Sequence, residues 1–194
     1  MRKIIVFNSV SLDGYFTDAK NDMSWAHKND PEWNEFAAEN AKGGGTLLLG
    51  RVTYELMKSF WPTEEAKKMM PEVAEGMNNL EKVVVSRTLE KADWKNTRLV
   101  KGGLVEEVQK MKKDTGDDIV ILGSGSIVSQ LSEHRLIDEY QFVMCPIVLG
   151  KGRRQSAGMG QTDRRIQRGR AKSGRWFPGE HGFDSTLLSR RYLS

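Results

Sequence analysis

The chain has a single cysteine, Cys145, so no internal disulfide can brace it. Histidine is also scarce: His27, His134 and His181 stand apart, with no second ligand at helical or hairpin spacing, and nothing in the pattern supports a metal site. No apolar run approaches the roughly 20 residues that a bilayer span needs. The start Met1-Arg2-Lys3-Ile4-Ile5-Val6-Phe7 lacks the long apolar segment and small-residue cleavage site of an export signal and reads directly as a strand. A cytoplasmic protein with no membrane partner is expected. Aromatics make up 8% of the residues and charged side chains 29%, a balance that fits a globular chain rather than a disordered one. A length of 194 residues fits one domain.

Acidic charge is missing from one region in particular. Residues 151–194 hold 11 Lys/Arg against 3 Asp/Glu, a balance of +8, whereas the remaining 150 hold 19 against 23, a balance of −4. The basic pI therefore belongs to the tail. Clustered arginines neutralise phosphates, and one reading of this tail is a nucleic-acid-binding segment. Against that reading, the tail carries no recognisable nucleic-acid module.

What is present is an alternation of apolar strands with amphipathic helices. Strands are predicted at Ile4–Val10, Thr46–Leu49, Lys82–Ser86, Thr97–Val100, Asp118–Leu122 and Glu139–Val148, the last in a central or near-central position with Cys145 buried. Helices are predicted over Pro31–Lys42, with Asp30 as N-cap, and over Val52–Phe60, Thr63–Asn78, Leu104–Lys113 and Ile127–Ser132. Such alternation gives an α/β fold with a mostly parallel central sheet flanked by helices in a single domain.

Ligands of such sheets sit at the carboxyl ends of the strands, and here the residues at those ends favour phosphate. Gly123-Ser124-Gly125-Ser126 follows a buried strand and opens a helix, so backbone N–H groups can approach an anion at the positive end of the helix. The alternative is a tight turn that needs glycine for geometry alone. Gly50, Arg51 and Thr53 mark a second strand-to-helix turn, and Ser86 with Arg87 a third strand exit. Two guanidinium groups near one ligand suit a phosphate beyond the pyrophosphate, which favours NADPH over NADH.

Several segments together resemble the dihydrofolate-reductase-like proteins, and within them the RibD C-terminal reductase branch. They are Asn8-Ser9-Val10-Ser11-Leu12-Asp13-Gly14-Tyr15, Leu49-Gly50-Arg51-Val52-Thr53-Tyr54, Val85-Ser86-Arg87, Leu122-Gly123-Ser124-Gly125-Ser126, and Asp138-Glu139-Tyr140 followed by Pro146-Ile147-Val148-Leu149-Gly150-Lys151-Gly152. The resemblance covers about residues 2–152. It implies that Gly50, Arg51, Thr53, Ser86 and Arg87 hold the adenosine-side phosphates. Gly123, Ser124, Gly125, Ser126 and Ile127 would cradle the pyrophosphate, with the nicotinamide near Val10–Gly14. It also implies a proton donor on the first helix: matching Phe36 to the aromatic of that helix puts Glu32 at the carboxylate position, with Glu35 close by and Asp13 a further candidate. Glu32 and Glu35 equally suit a solvated first turn complementing the helix dipole. Trp25 and Trp33 are candidates for the floor of a heterocycle pocket, or for core. The related branch commonly forms homodimers.

The resemblance ends at the Gly-Lys-Gly motif. A domain is expected over 1–152, followed at 153–194 by a divergent basic segment in which only Phe183–Leu193 could form a strand. A shift of reading frame near codon 153 would produce such a change. The expected activity is NADPH-dependent reduction of a small heterocycle, either a pteridine or the 5-amino-6-(5-phosphoribosylamino)uracil intermediate of riboflavin synthesis. A non-catalytic dinucleotide-binding or sensory protein is the main alternative, and nucleic-acid binding by the tail the second.

Overall fold

The computed structural model describes residues 1–26 and 31–154, with the backbone alone for 31–33. In chain order the elements are β1 (Ile4–Ser11), β2 (Tyr15–Thr17), α1 (Pro31–Lys42), β3 (Thr46–Gly50), α2 (Arg51–Phe60), α3 (Glu64–Met69), α4 (Pro71–Asn79), β4 (Glu81–Val85), β5 (Thr97–Val100), α5 (Leu104–Lys113), β6 (Ile119–Leu122), α6 (Gly125–Glu133), β7 (Glu139–Cys145) and β8 (Arg153–Arg154). Six strands form one sheet in the order β5-β4-β3-β6-β1-β7, and each neighbouring pair is parallel. This is the single α/β domain that the alternation of strands and helices predicts.

The central strands β1, β3, β4 and β6 carry apolar runs because both faces of the sheet are covered there. Ile5, Phe7, Leu47, Leu49, Val84, Val120 and Leu122 point to one face, where Ala37, Ala38 and Ala41 of α1, Tyr54 of α2, and Val73 and Met77 of α4 close the core. Their neighbours in sequence, Ile4, Val6, Leu48, Val83, Ile119 and Ile121, point to the other, against α5 and α6. The alternation is the period of two that a strand imposes. Helices α1 and α4 approach so closely that a Cβ on Gly76 would lie 2.6 Å from the Ala41 side chain.

Three expectations need correction. The polar stretch Thr63–Asn78 is two helices, because Pro71 has no N–H to continue α3 and starts α4 at its first position, with Met70 in a non-helical conformation between them. β7 stops at Cys145 rather than Val148, since Pro146 cannot donate to a ladder. Among the described residues β7 lies at the end of the sheet order with β1 on one side, so it is not central, Cys145 is only half-buried, and Phe142 and Met144 are exposed. A short ribbon also appears that the apolar pattern does not announce: β2 pairs antiparallel with β8, the first two residues of the basic segment. Gly152 permits that approach, as a Cβ there would fall 1.9 Å from the Thr17 carbonyl oxygen. The strand expected at Phe183–Leu193, the N-cap Asp30, and the rest of the tail lie outside the described residues. No helix among the described residues is long and apolar enough to cross a membrane.

Lys82 is a charged residue inside this core. Its side chain leaves β4 fully buried, donates to the carbonyls of Met77 and Leu80 at 2.8 and 2.6 Å at the end of α4, and sits 4.4 Å from the centre of the Trp94 ring. Helix C-terminal carbonyls and an aromatic face both suit a cation, yet desolvation dominates and lowers the ammonium pKa from 10.5 to about 8. Below about pH 8 the proton is bound in both folded and unfolded chains; between about 8 and 10.5 it is bound only when unfolded. Stability from this group therefore rises with pH across that window. Compared with Lys82→Met, the wild type should gain on the order of 2–3 kcal/mol between pH 7.5 and 10.5 in urea unfolding. A constant difference between the two proteins would contradict this placement.

Candidate active site at the carboxyl ends of the strands

Parallel pairing brings the carboxyl ends of all six strands to one edge, and the order β4-β3-β6-β1 sets four exits side by side. In space they run Ser86-Arg87, Gly50-Arg51, Gly123-Ser124 and Leu12-Asp13-Gly14. Beyond β3 the chain enters α2, whose Tyr54 packs on the first face; beyond the adjacent β6 it enters α6, whose Ile127, Val128 and Leu131 pack on the second. Neighbouring strands whose helices depart to opposite faces open a crevice between them, the place where α/β sheets bind ligands.

A hydrogen-bond knot shapes that crevice. The Gly123 N–H donates to Asn8 Oδ1 at 2.6 Å, which ties β6 to β1. The Gly50 N–H donates to Ser124 Oγ at 2.9 Å, while the N–H and hydroxyl of Ser124 donate to Thr53 Oγ1 at 3.2 and 3.0 Å, tying β6 to β3 and α2. Gly123 and Ser124 both adopt left-handed backbone, with φ of 61° and 50°. For a residue with a side chain this costs about 1–2 kcal/mol, and the three bonds around Ser124 hold it there. The hydroxyls of Thr53 and Ser124 thus serve each other rather than pointing outward. Donors remain at the start of α6, where the Gly125 and Ser126 N–H groups have no partner within the helix by position. Ile127 is buried in the core, and its N–H already donates to the Ser124 carbonyl at 2.8 Å. Gly125 lies against Phe16 of β2, with room for no side chain: a Cβ would come within 3.0 Å of the ring.

The register of β3 with β4 sets Gly50 opposite Val85, so Arg51 and Arg87 leave neighbouring strand ends. α2 begins with Gly50 as an N-cap that makes no side-chain bond, and its first turn contains no acidic residue. The positive end of its dipole is left uncompensated. Arg51 pairs with Glu55 one turn along, and Arg87 is exposed. Ser86 is buried, and its Oγ accepts from the N–H groups of Thr88 and Leu89 at 3.2 and 3.0 Å, which makes it a brace for the turn that presents Arg87.

The residues expected near the nicotinamide divide differently. Val10 is buried in β1, and Gly14, with φ of 81°, has nothing within 4 Å of the position a Cβ would take. Asp13, one candidate proton donor, is a clamp: its carboxylate accepts from the Ser11 hydroxyl at 2.7 Å and from the N–H groups of Leu149 and Gly150 at 3.1 and 2.7 Å. The Ser11 bond, reinforced by those from Gly150 and Leu149, lowers its pKa below the usual carboxylate value. A group held ionised in this way accepts hydrogen bonds and does not deliver a proton near neutral pH. Glu35 is exposed on α1. The side chains of Glu32 and Trp33 lie outside the described residues. Trp25 is half-buried in the single 3-10 turn Ser24–Ala26, its indole N–H donating to the Asp22 carbonyl at 3.1 Å.

Sequence reasoning missed Asn8 as the β1–β6 lock and Glu55 as the partner of Arg51. The signals were an amide interrupting a buried apolar run and an i,i+4 spacing of opposite charges. Two open hollows lie elsewhere, around Asn79, Asp93 and Trp94, near the starts of β4 and β5. They are broad surface depressions at the amino edge of the sheet, and the convergent donors are at the carboxyl edge.

The Asp13 clamp makes a pH prediction. Its lowered pKa means that its contribution to stability is complete above the unfolded value of 3.8 and is lost as pH falls through the folded value. Asp13→Asn should be less stable than wild type at pH 7, and the gap between their urea midpoints should close as the pH drops below about 4. A gap that is the same at pH 3 and pH 7 would show that the carboxylate charge has no part in it.

Comparison with known proteins bears on the fold and the family. An uncharacterised protein, YyaP, of Bacillus subtilis (strain 168) is 28% identical over 153 residues, covering 78% of this chain and 79% of its own. A second uncharacterised B. subtilis protein, YwjB, is 23% identical over 151 residues, covering 78% and 80%. The crystal structure of a Shewanella sp. PV-4 protein provisionally assigned to riboflavin biosynthesis superposes with a TM-score of 0.60 at 25% identity, over 79% of this chain and 82% of that one. The diaminohydroxyphosphoribosylaminopyrimidine deaminase/5-amino-6-(5-phosphoribosylamino)uracil reductase of Thermotoga maritima shares the fold, with a TM-score of 0.55 at 15% identity over 81% of this chain. This chain spans about half (48%) of the Thermotoga protein. The family model for the RibD C-terminal domain matches residues 2–173, continuing past the Gly-Lys-Gly motif, and the chain belongs to that family.

Proposed function

We propose that the protein is an NADPH-dependent reductase of a small heterocycle, a pteridine or a ribosylaminopyrimidine such as 5-amino-6-(5-phosphoribosylamino)uracil. The observation that carries this reading is the pairing of Arg51 and Arg87 on adjacent strand ends, beside an α2 N-terminus with no acid of its own. A phosphate between two guanidinium groups meets up to four N–H donors in fork geometry, and such charge-assisted bonds are about twice as strong as neutral ones. NADH offers no phosphate at that place. In this reading the Gly125 and Ser126 N–H groups take the pyrophosphate, and the open space over Gly14 admits the nicotinamide ring. Family membership and the reductase activity named for the Thermotoga neighbour support the reaction class.

The bound nicotinamide supplies the hydride, and the acceptor then requires a proton. Glu32 is retained as its donor, since Asp13 is held ionised and Glu35 is exposed. Asp13 acts instead on geometry, fastening the Leu12–Gly14 turn to Leu149 and Gly150. A non-catalytic nucleotide-binding protein is the second reading, favoured by the ionised state of Asp13 and the exposure of Glu35.

Calorimetric titration tests both readings. The wild type should bind NADPH at least about tenfold more tightly than NADH, and Arg87→Gln should lose about 10- to 100-fold in NADPH affinity, the range of one charge-assisted bond. Glu32→Gln should bind NADPH as the wild type does while losing turnover. Equal binding of the two nucleotides would remove the NADPH reading, and turnover unaffected by Glu32→Gln would remove the proton-donor assignment.

A further inference from the structure

Arg51 is already engaged. Its Nη1 donates to both carboxylate oxygens of Glu55, at 3.1 and 2.9 Å, across one turn of α2. Helix energetics give little reason for this pair. A cation in the first turn opposes the positive end of the dipole, and a base preceding an acid at i,i+4 is the weaker of the two orientations. Both side chains are 45% exposed, a setting in which an ion pair is worth about 1 kcal/mol or less. A phosphate can displace a carboxylate held that loosely.

The geometry points to Glu55 as an internal competitor for Arg51: its carboxylate occupies the guanidinium until the extra phosphate of the cofactor displaces it. Glu55 thereby sets how strongly the phosphorylated nucleotide is preferred over the unphosphorylated one. This rests on the reading of Arg51 as a ligand of that phosphate. Without nucleotide the pair keeps the guanidinium lying along α2. With NADPH the pair must break, and the released carboxylate stays one helical turn from the phosphate as a like charge. Both effects act against NADPH and spare NADH. Glu55 is a specificity residue that works through Arg51, without touching the reacting atoms.

The test is a calorimetric titration of the full chain with NADPH and NADH, using wild type, Glu55→Gln, Arg51→Gln and the double variant. Glu55→Gln should tighten NADPH binding by about three- to tenfold, the scale of an exposed ion pair plus one like-charge contact, and leave NADH within about twofold. The gain should shrink when salt rises from about 0.05 to 0.5 M. In the Arg51→Gln background, Glu55→Gln should gain clearly less than in the wild type, because only the like-charge contact is left to relieve. If Glu55→Gln binds NADPH no better than wild type while Arg51→Gln still weakens it, the competitor role is overturned and the cofactor reading survives. If Arg51→Gln leaves NADPH binding unchanged, the reading of Arg51 fails and this inference fails with it. A gain in the Arg51→Gln background as large as in the wild type also overturns it, because Glu55 would then act without competing for Arg51.

Discussion

Three neighbouring strands meet at a small set of hydrogen bonds on which the rest of the site depends. Asn8 on β1, Gly123 and Ser124 after β6, and Gly50 and Thr53 at the β3–α2 turn bond to one another directly. The Asn8 bond and the Gly50–Ser124 bond are each buried or partly buried cross-strand contacts, and losing a partner in such a contact costs about 1–3 kcal/mol. Ser124 stays left-handed through them, and that conformation starts α6 where its first N–H groups face the crevice. The same bonds fix Gly50, from which Arg51 enters α2. One network therefore aligns two helix N-termini at the switch point of the sheet.

A second tie works at the other side of β1. Ser11 and Asp13 hold the Leu12–Gly14 turn to the segment after β7, and Tyr15 donates its hydroxyl to the Gly150 carbonyl at 3.3 Å. Arg154 stacks over the Tyr15 ring at 4.9 Å and donates to its hydroxyl. The beginning of the basic segment is thus drawn onto the same edge of the sheet as the strand-end turns of the candidate site. The positive charge of Arg154 is used locally, against Tyr15 of the β2–β8 ribbon.

Much of the fold is legible in the chain because burial on both faces leaves continuous apolar runs. Ile4–Phe7, Leu47–Leu49 and Ile119–Leu122 could be little else. The break between α3 and α4 is less visible, because polar residues continue across it and only Pro71 marks it. The position of β7 depends on which strand it pairs with, a long-range fact that its own residues do not encode. The site divides in the same way. The positions of Gly50, Arg51, Gly123 and Ser124 follow from their place at strand ends. The roles of Thr53, Ser86, Ser124 and Asp13 do not, because a hydroxyl or carboxylate announces its capacity to bond but not its partner. Asp13 finds that partner 136 residues further along the chain, at Leu149.

The central claim is that this knot preorganises the nucleotide site, and Thr53 is the residue through which it is most directly tested. Thr53→Val keeps the shape and removes the acceptor for Ser124, whereas Thr53→Ser keeps the acceptor and removes a methyl group. NADPH affinity and urea stability should be measured for both. The account predicts that Thr53→Val loses about 1–3 kcal/mol of stability and about tenfold or more in affinity, while Thr53→Ser stays close to wild type. Wild-type affinity in Thr53→Val would contradict it, since the anion site would then form without the bonds said to build it.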